Sequence, residues 1–319
     1  MSDVKITRRA AMLTGAALPL AAGLTGLSGR PARAAADMMG PGGPAYSRMK
    51  LGGFEVTTLL DGNRTVENPQ EIFGMNATPE EFAEVSGAHF IPTDKSQFFF
   101  TPTVVNTGSE LVLFDTGLGQ GGIVKALGDA GYTPDQVDIV VLTHMHPDHI
   151  GGMTTGDDGT PTFPNARYVT GSTEYDFWSK MEAGNRVGDM VAAKVTPMAE
   201  KMTFLDDGGS VVSGITAMAA HGHTPGHTTF MLESDGQQLL LIGDTANHYV
   251  WSLGYPDWEV RFDMDKAAAA ATRRKVFGML AADKVPFIGY HMPFPAVGFV
   301  EAKDSGFRYV PASYQMIMS

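Results

Sequence analysis

A largely apolar run, Val137–Leu142, leads straight into Thr143-His144-Met145-His146-Pro147-Asp148-His149. The run predicts a buried strand. The H-x-H-x-D-H cluster behind it predicts a loop that gathers four metal-capable side chains at the strand's end, the usual place for an α/β site. Alternate positions of an extended turn point the same way, so His144 and His146 can reach one ion. The adjacent Asp148 and His149, stiffened by Pro147, can serve a second ion beside it. Three more candidates stand further along: His227 in a T-P-G-H-T turn, Asp244 in an I-G-D-T turn, and His291 after another apolar run.

The 319 residues include no Cys, which excludes disulfides and thiolate ligands and leaves any metal to His, Asp and Glu. Such donors suit two divalent cations, zinc by default, with manganese, cobalt or iron as alternatives. Asp244 is the candidate bridge, because a carboxylate has two oxygens to share. Two shared cations lower the pKa of a bridging water until it is hydroxide near neutral pH, a nucleophile that needs no Ser or Cys. Asp148 is placed to orient that hydroxide and accept its proton.

The first residues read as an export signal. Lys5, Arg8 and Arg9 form a basic start, Ala10 to Gly29 is mostly apolar or small, and Ala32-Arg33-Ala34 offers a cleavage site. Thr7-Arg8-Arg9-Ala10 resembles a twin-arginine signal, although the usual downstream Phe is missing. Residues 1–34 are thus expected to be removed, leaving a periplasmic or secreted protein. Their loss takes away five basic residues and Asp3 and moves the net charge from -12 to -16. That surface disfavours nucleic acid and anionic membrane as partners. No second apolar stretch is long enough to insert stably in a membrane.

Residues 35–50, rich in Gly, Pro, Ala and Met, read as a flexible arm, and 51–319 as one domain. Strands are expected at Phe54–Leu60, ending in an Asp61-Gly62-Asn63 turn, at Phe98–Asn106 and at Glu110–Phe114. Others are expected at 167–170, 218–221, 285–289, 298–302 and 307–311, with a hairpin of 228–233 and 238–242. Helices are expected at Pro79–Val85 behind a Thr78 cap, Gly122–Ala130, within Glu174–Met202, and at Asp265–Ala282. Gly151-Gly152 would let a following helix start close to the metals. Runs of strands with helices between them predict an α+β fold of two packed mixed sheets.

From about Gly53 to Met318 the chain resembles the metallo-β-lactamase-fold hydrolases. The resemblance implies a four-layer αββα sandwich with two metals at one edge. It implies His144, His146 and His227 on one metal, Asp148, His149 and His291 on the other, and Asp244 between them. Asp115 in Phe114-Asp115-Thr116-Gly117 would orient a ligand imidazole. His223 would be a supporting residue, and His248 a pocket residue that tunes catalysis without holding metal. The segment Tyr290-His291-Met292-Pro293-Phe294-Pro295 is similar to that of methyl parathion hydrolase and its lactonase-like relatives. The implied activity is hydrolysis of lactones, aryl esters or organophosphate triesters. Asp148 argues against β-lactam hydrolysis. Relatives are often dimers, so a homodimer is expected as an option.

Candidate pocket aromatics are Phe98, Phe99, Tyr175, Phe177, Trp178, Trp251, Tyr255 and Trp258; an apolar pocket beside two metals suits small apolar esters. Two competing readings remain in view: another secreted ester or thioester hydrolase of the same fold, and a non-catalytic metal-binding protein. A nuclease is disfavoured by the acidic balance.

Overall fold

The structure, a computed structural model, describes residues 42–156 and 159–314. The expected export signal, its cleavage site and residues 35–41 lie outside the described residues. Strands β1 (Tyr46–Leu51) and β2 (Phe54–Leu59) open the first sheet. The chain then leaves that sheet for an arm of β3 (Gly62–Glu67), helix α1 (Pro79–Ala88) and β4 (Lys95–Phe100), in which β3 pairs with β4 as a separate two-stranded sheet. It returns through β5 (Thr103–Asn106), β6 (Leu111–Phe114), α2 (Gly122–Asp129), β7 (Ile139–Leu142) and the short α3 (Pro147–Ile150). A small hairpin, β8 (Thr154–Thr155) and β9 (Thr160–Pro161), precedes β10 (Arg167–Gly171), α4 (Ser172–Trp178), α5 (Arg186–Lys194) and β11 (Met202–Leu205).

The first sheet has the order β1-β2-β5-β6-β7-β10-β11, antiparallel up to β6 and parallel beyond it. The second sheet runs in chain order: β12 (Ser210–Val212), β13 (Ile215–Ala219), β14 (Thr228–Ser234), β15 (Gln237–Leu241), then after α6 (Lys266–Asp283) β16 (Phe287–Ile288), β17 (Val297–Lys303) and β18 (Gly306–Pro311). Only β15 and β16 are parallel there, because α6 supplies the crossover that a parallel pair needs. Two mixed sheets flanked by helices make the expected αββα sandwich. No helix among the described residues is long and apolar enough to cross a membrane.

The strands of the first sheet are apolar on both faces, and successive residues feed different layers. Val105, Val112, Phe114, Ile139, Val141 and Val169 pack with residues of the second sheet. Their chain neighbours Val104, Leu111, Leu113, Val140, Leu142 and Tyr168 pack on the other face with α2, α3 and α5. Phe114 meets Phe230 between the sheets at 5.3 Å. Each such side chain contributes on the order of 1.5–3 kcal/mol of burial. Helix ends are set locally. Thr78 caps α1 and Glu81 reaches back to its backbone N–H, while Asp265 accepts from the Ala268 N–H to start α6.

Several expected boundaries are corrected. Residues 46–50 are not arm but edge strand, since Met49 and Leu51 turn inward on alternate positions. Asp61-Gly62-Asn63 is not a turn; Gly62 already pairs with Phe100 in the arm. The strand expected over Phe98–Asn106 breaks at Thr101-Pro102, its halves in different sheets. Glu174–Met202 is divided among α4, α5 and a 3₁₀ helix over Thr196–Lys201; α5 starts anew because Asn185 caps it by accepting from the Val187 and Gly188 N–H groups. The helix near the metal loop starts at Pro147, before Gly151-Gly152 rather than after it.

Candidate metal centre

The site lies at the C-terminal ends of the parallel pairs. Asp115 follows β6, the His144–His149 loop follows β7, Asp244 follows β15 and His291 follows β16. The Thr228 N–H donates to the Thr143 carbonyl at 3.0 Å and ties the two sheets together at this edge. One ligand atom from each of His144, His146, His223 and Asp244 falls within 4.8 Å of the others, and so does one from each of Asp148, His149, Asp244 and His291. Asp244 belongs to both groups: its Oδ1 is 3.3 Å from His149 Nε2, and its Oδ2 is 3.3 Å from His223 Nε2 and 3.2 Å from His291 Nε2.

The donor set fits two divalent cations. His144 Nε2, His149 Nε2 and Asp244 Oδ1 are buried and have no hydrogen-bond partner, a costly arrangement that a cation would relieve. In His149, His291 and His223 the Nδ1 atom is bonded away from the clusters, which aims Nε2 inward. His149 Nδ1 donates to Asp115 Oδ2 at 2.8 Å, and Asp115 also accepts from the Thr143 N–H and hydroxyl. His291 Nδ1 donates to the Phe99 carbonyl at 2.8 Å. His223 Nδ1 donates to Asp263, which is itself held by the buried Arg273 at 2.7 Å. Asp115 accepts these bonds from a left-handed φ of 60°.

His223 and His227 exchange their expected roles. His227 is not placed as a ligand: its Nδ1 donates to the Ala220 carbonyl at 3.1 Å and its Nε2 accepts the Asp244 N–H at 2.9 Å, so neither nitrogen is left for a metal. It positions the backbone of the bridging residue instead. Gly243 has φ 49°, and a Cβ there would lie 2.8 Å from His227 Nε2, which is why glycine stands between strand and aspartate. His223, expected as a supporting residue, presents Nε2 to the first cluster, where its contacts are other members of that cluster: His146 Nδ1 at 2.9 Å and Asp244 Oδ2 at 3.3 Å. The turn can come so close because Gly222 packs against the backbone of Ala268 and Ala269 at the start of α6.

Electrostatics follow the geometry. Burial opposes charge on His223, yet hydrogen bonds to Asp244 and Asp263 raise its pKa to about 9. Burial likewise opposes charge on His291, but the Asp244 carboxylate raises it to about 10. His149 is also raised, by Asp244 and Asp115 against burial. His146 and His227 are pushed down to about 3, by burial first and then by His223. Burial would raise Asp148, but His149 and His291 hold it down at about 2.

Beside the second cluster lies a cleft of about 630 Å³ reached by His248 and His291. His248 is in neither metal group. Its ring stacks on Trp251 at 4.0 Å, and its Nδ1 accepts from the Val250 and Trp251 N–H groups, both at 3.1 Å. The proton is therefore on Nε2, and burial with the nearby His89 lowers its pKa to about 3. Of the expected pocket aromatics, Phe99 and Trp251 line the cleft. The others do not. Phe98 packs edge-on against His291, Tyr175 on Phe204, Phe177 on Trp178, and Tyr255 on Trp258. Trp178 donates its Nε1–H to Glu174. Much of the wall comes from the arm, including Thr65, Glu67, Ile91, Lys95 and Gln97, which carry no motif that sequence reading could pick out.

Two outcomes are expected. His223→Ala should lose one of two bound cations by elemental analysis, whereas His227→Ala should keep both at saturating metal and lower the affinity of each; retention of both in His223→Ala contradicts the assignment. Cation uptake should also release protons. His223 and His291 have folded pKa values above the unfolded value of about 6.5, so in chelated protein they stabilise the fold fully below that pH and lose this contribution as pH rises through about 9 and 10. Loading at pH 7 must displace these protons, so affinity should fall with acidification. Calorimetry in buffers of different ionisation enthalpy reads this, and uptake with no proton released would refute it.

The sequence profile of the Metallo-beta-lactamase superfamily matches residues 101–286, more than half of the chain. An N-acyl homoserine lactonase of Bacillus thuringiensis is 28% identical over 126 residues, 40% of this chain and 45% of that protein, so the chain matches only about half the length of such curated relatives. The solved structure of AidC, a dizinc quorum-quenching lactonase in complex with a product, superposes with a TM-score of 0.79 at 28% identity, covering 84% of this chain and 98% of that one. Hydrolase AbOPH in the beta lactamase superfamily superposes at 0.77 with 25% identity, covering 86% and 99%. With its sandwich, its two clusters of ligand atoms and this profile match, the chain belongs to the metallo-β-lactamase superfamily.

Proposed function

We propose that the protein is a dinuclear metal-dependent hydrolase that opens lactones and related small esters. In this reading His144, His146 and His223 hold one cation, Asp148, His149 and His291 hold the other, and Asp244 lies between. The observation that carries it is the pair of ligand clusters sharing Asp244, beside a cleft that His291 of the second cluster lines. Two divalent cations there, zinc by default, would supply Lewis acidity for a scissile carbonyl or phosphoryl group and lower the pKa of water.

The chain's own residues do the rest. Asp148 stays ionised at neutral pH and its side chain is 23% exposed toward solvent, so its carboxylate can take up a proton as the ester opens. The Tyr290 hydroxyl donates to the Asp148 carbonyl at 2.5 Å and fixes that residue's backbone. His248 offers an uncharged Nε2–H donor to a substrate oxygen, in the manner of a preorganised hole for developing charge. Ile91, Phe99 and Pro293 give the cleft an apolar wall for an acyl or aryl group. The lactonase relatives support the lactone reading. The Tyr290–Pro295 segment supports a second, organophosphate triester hydrolysis of the methyl parathion hydrolase kind. The basic start and apolar stretch of residues 1–34 support export before action.

The deciding measurement is kcat/KM of metal-analysed protein on acyl-homoserine and aromatic lactones beside methyl parathion and methyl paraoxon. A lactone value of about 10⁵ M⁻¹s⁻¹ or more, with triesters far lower, is expected; the reverse ranking selects the second reading, and no turnover of either panel rejects both. His248→Phe should keep both cations and lower kcat/KM by about 10²-fold, the cost of one lost donor. Loss of a cation in that variant would make His248 a ligand instead.

A further inference from the structure

Glu174 is a fully buried carboxylate that the chemistry above does not use. It sits in α4, one turn after β10, and accepts four hydrogen bonds. Oε1 takes the Met145 N–H at 2.9 Å and the Trp178 Nε1–H at 2.7 Å. Oε2 takes the Thr224 hydroxyl at 2.7 Å and the Gly226 N–H at 2.9 Å. The location of those donors matters. Met145 is the residue between His144 and His146, while Thr224 and Gly226 lie in the turn between His223 and His227. One side chain therefore grips the two loops that carry the three imidazoles of the first cluster. Gly226 allows the grip, because a Cβ there would run into the backbone of Thr173 and Glu174. On the other side of the same contact, Trp178 stands edge-on to His146 with ring centroids 6.1 Å apart.

The chemistry of the group is also informative. Its four partners are uncharged donors, so nothing among them neutralises the carboxylate. A buried carboxylate without a neighbouring cationic side chain is expensive. Cations held by the imidazoles on the two loops that Glu174 grips would help to offset that cost. A neutral amide could not replace the carboxylate, because an amide has one acceptor oxygen and cannot satisfy donors on both sides.

We propose that Glu174 is a positioning residue for the first cation, setting the distance between the His144–His146 loop and the His223 turn. This rests on the assignment of His144, His146 and His223 to one cation. Glu174→Gln turns an NH₂ group toward one pair of donors, so one loop must move relative to the other. The test is stepwise titration of Co²⁺ into chelated protein, followed by its visible spectrum, with zinc affinities from chelator competition. In Glu174→Gln the first cation should bind about 10- to 100-fold more weakly, the usual cost of losing an outer partner of a ligand. Its cobalt bands should shift, while the second cation and the far-ultraviolet dichroism stay as in wild type. Thr224→Val removes one of the four donors and should show a smaller loss at the same cation. If Glu174→Gln does not fold, Thr224→Val decides: unchanged first-cation affinity overturns the proposal. Wild-type protein that takes two cations beside a Glu174→Gln protein indistinguishable from it overturns the proposal alone. Wild-type protein that takes fewer than two removes the two-cation reading, and this proposal with it.

Discussion

Asp244 must touch both ligand clusters at once, and the rest of the site is arranged around that demand. Its carboxylate can do so only if the loop after β15 meets the loop after β7, on strands that belong to different sheets. The backbone bond from Thr228 to Thr143 closes that edge, and His227 holds the Asp244 N–H from behind. Asn247 donates to Asp244 Oδ2 at 2.8 Å and fixes the rotation of the carboxylate. A displacement of any of these contacts would open a gap between clusters that no side-chain rotation could bridge, because the participants are buried and packed.

The strain in the site has the same origin. Asp115 takes a left-handed backbone conformation directly after β6, and Gly243 a positive φ two residues after β15. Chains normally avoid turning so sharply out of a sheet. Here the turn lets Asp115 receive Thr143 and His149 together, and lets Asp244 come up against His227. The hydrophobic layers on both faces of the first sheet hold these ends in place and offset the local cost.

The metal loop, the bridge and the sandwich were legible in sequence because each rests on short-range pattern: apolar runs, an H-x-H-x-D-H spacing, strand ends. The choice between His223 and His227 was not. Both stand in one H-T-P-G-H turn, and the difference lies in which nitrogens are claimed by Ala220, Asp244 and Asp263, the last two far along the chain. The cleft was illegible for a related reason. The aromatic cluster in α4 looks like a pocket wall, but its rings spend themselves on Phe204, Glu174 and the neighbouring core. The real wall comes from polar and mixed residues whose only credential is their place on the arm. Strand β1 was hidden by a composition that reads as a tail, although Met49 and Leu51 alternate correctly.

That arm stands outside both seven-stranded sheets, its β3 and β4 forming a separate pair. It contributes to the cleft through Thr65, Glu67, Lys95 and Gln97 while most of the ligand loops are anchored in the sandwich. Selectivity and reactivity are therefore mounted on separate pieces of the molecule. Substitutions along β3 and β4 can reshape what the cleft admits while the sheet edges that gather the imidazoles stay as they are, so a lineage could change diet without rebuilding its chemistry.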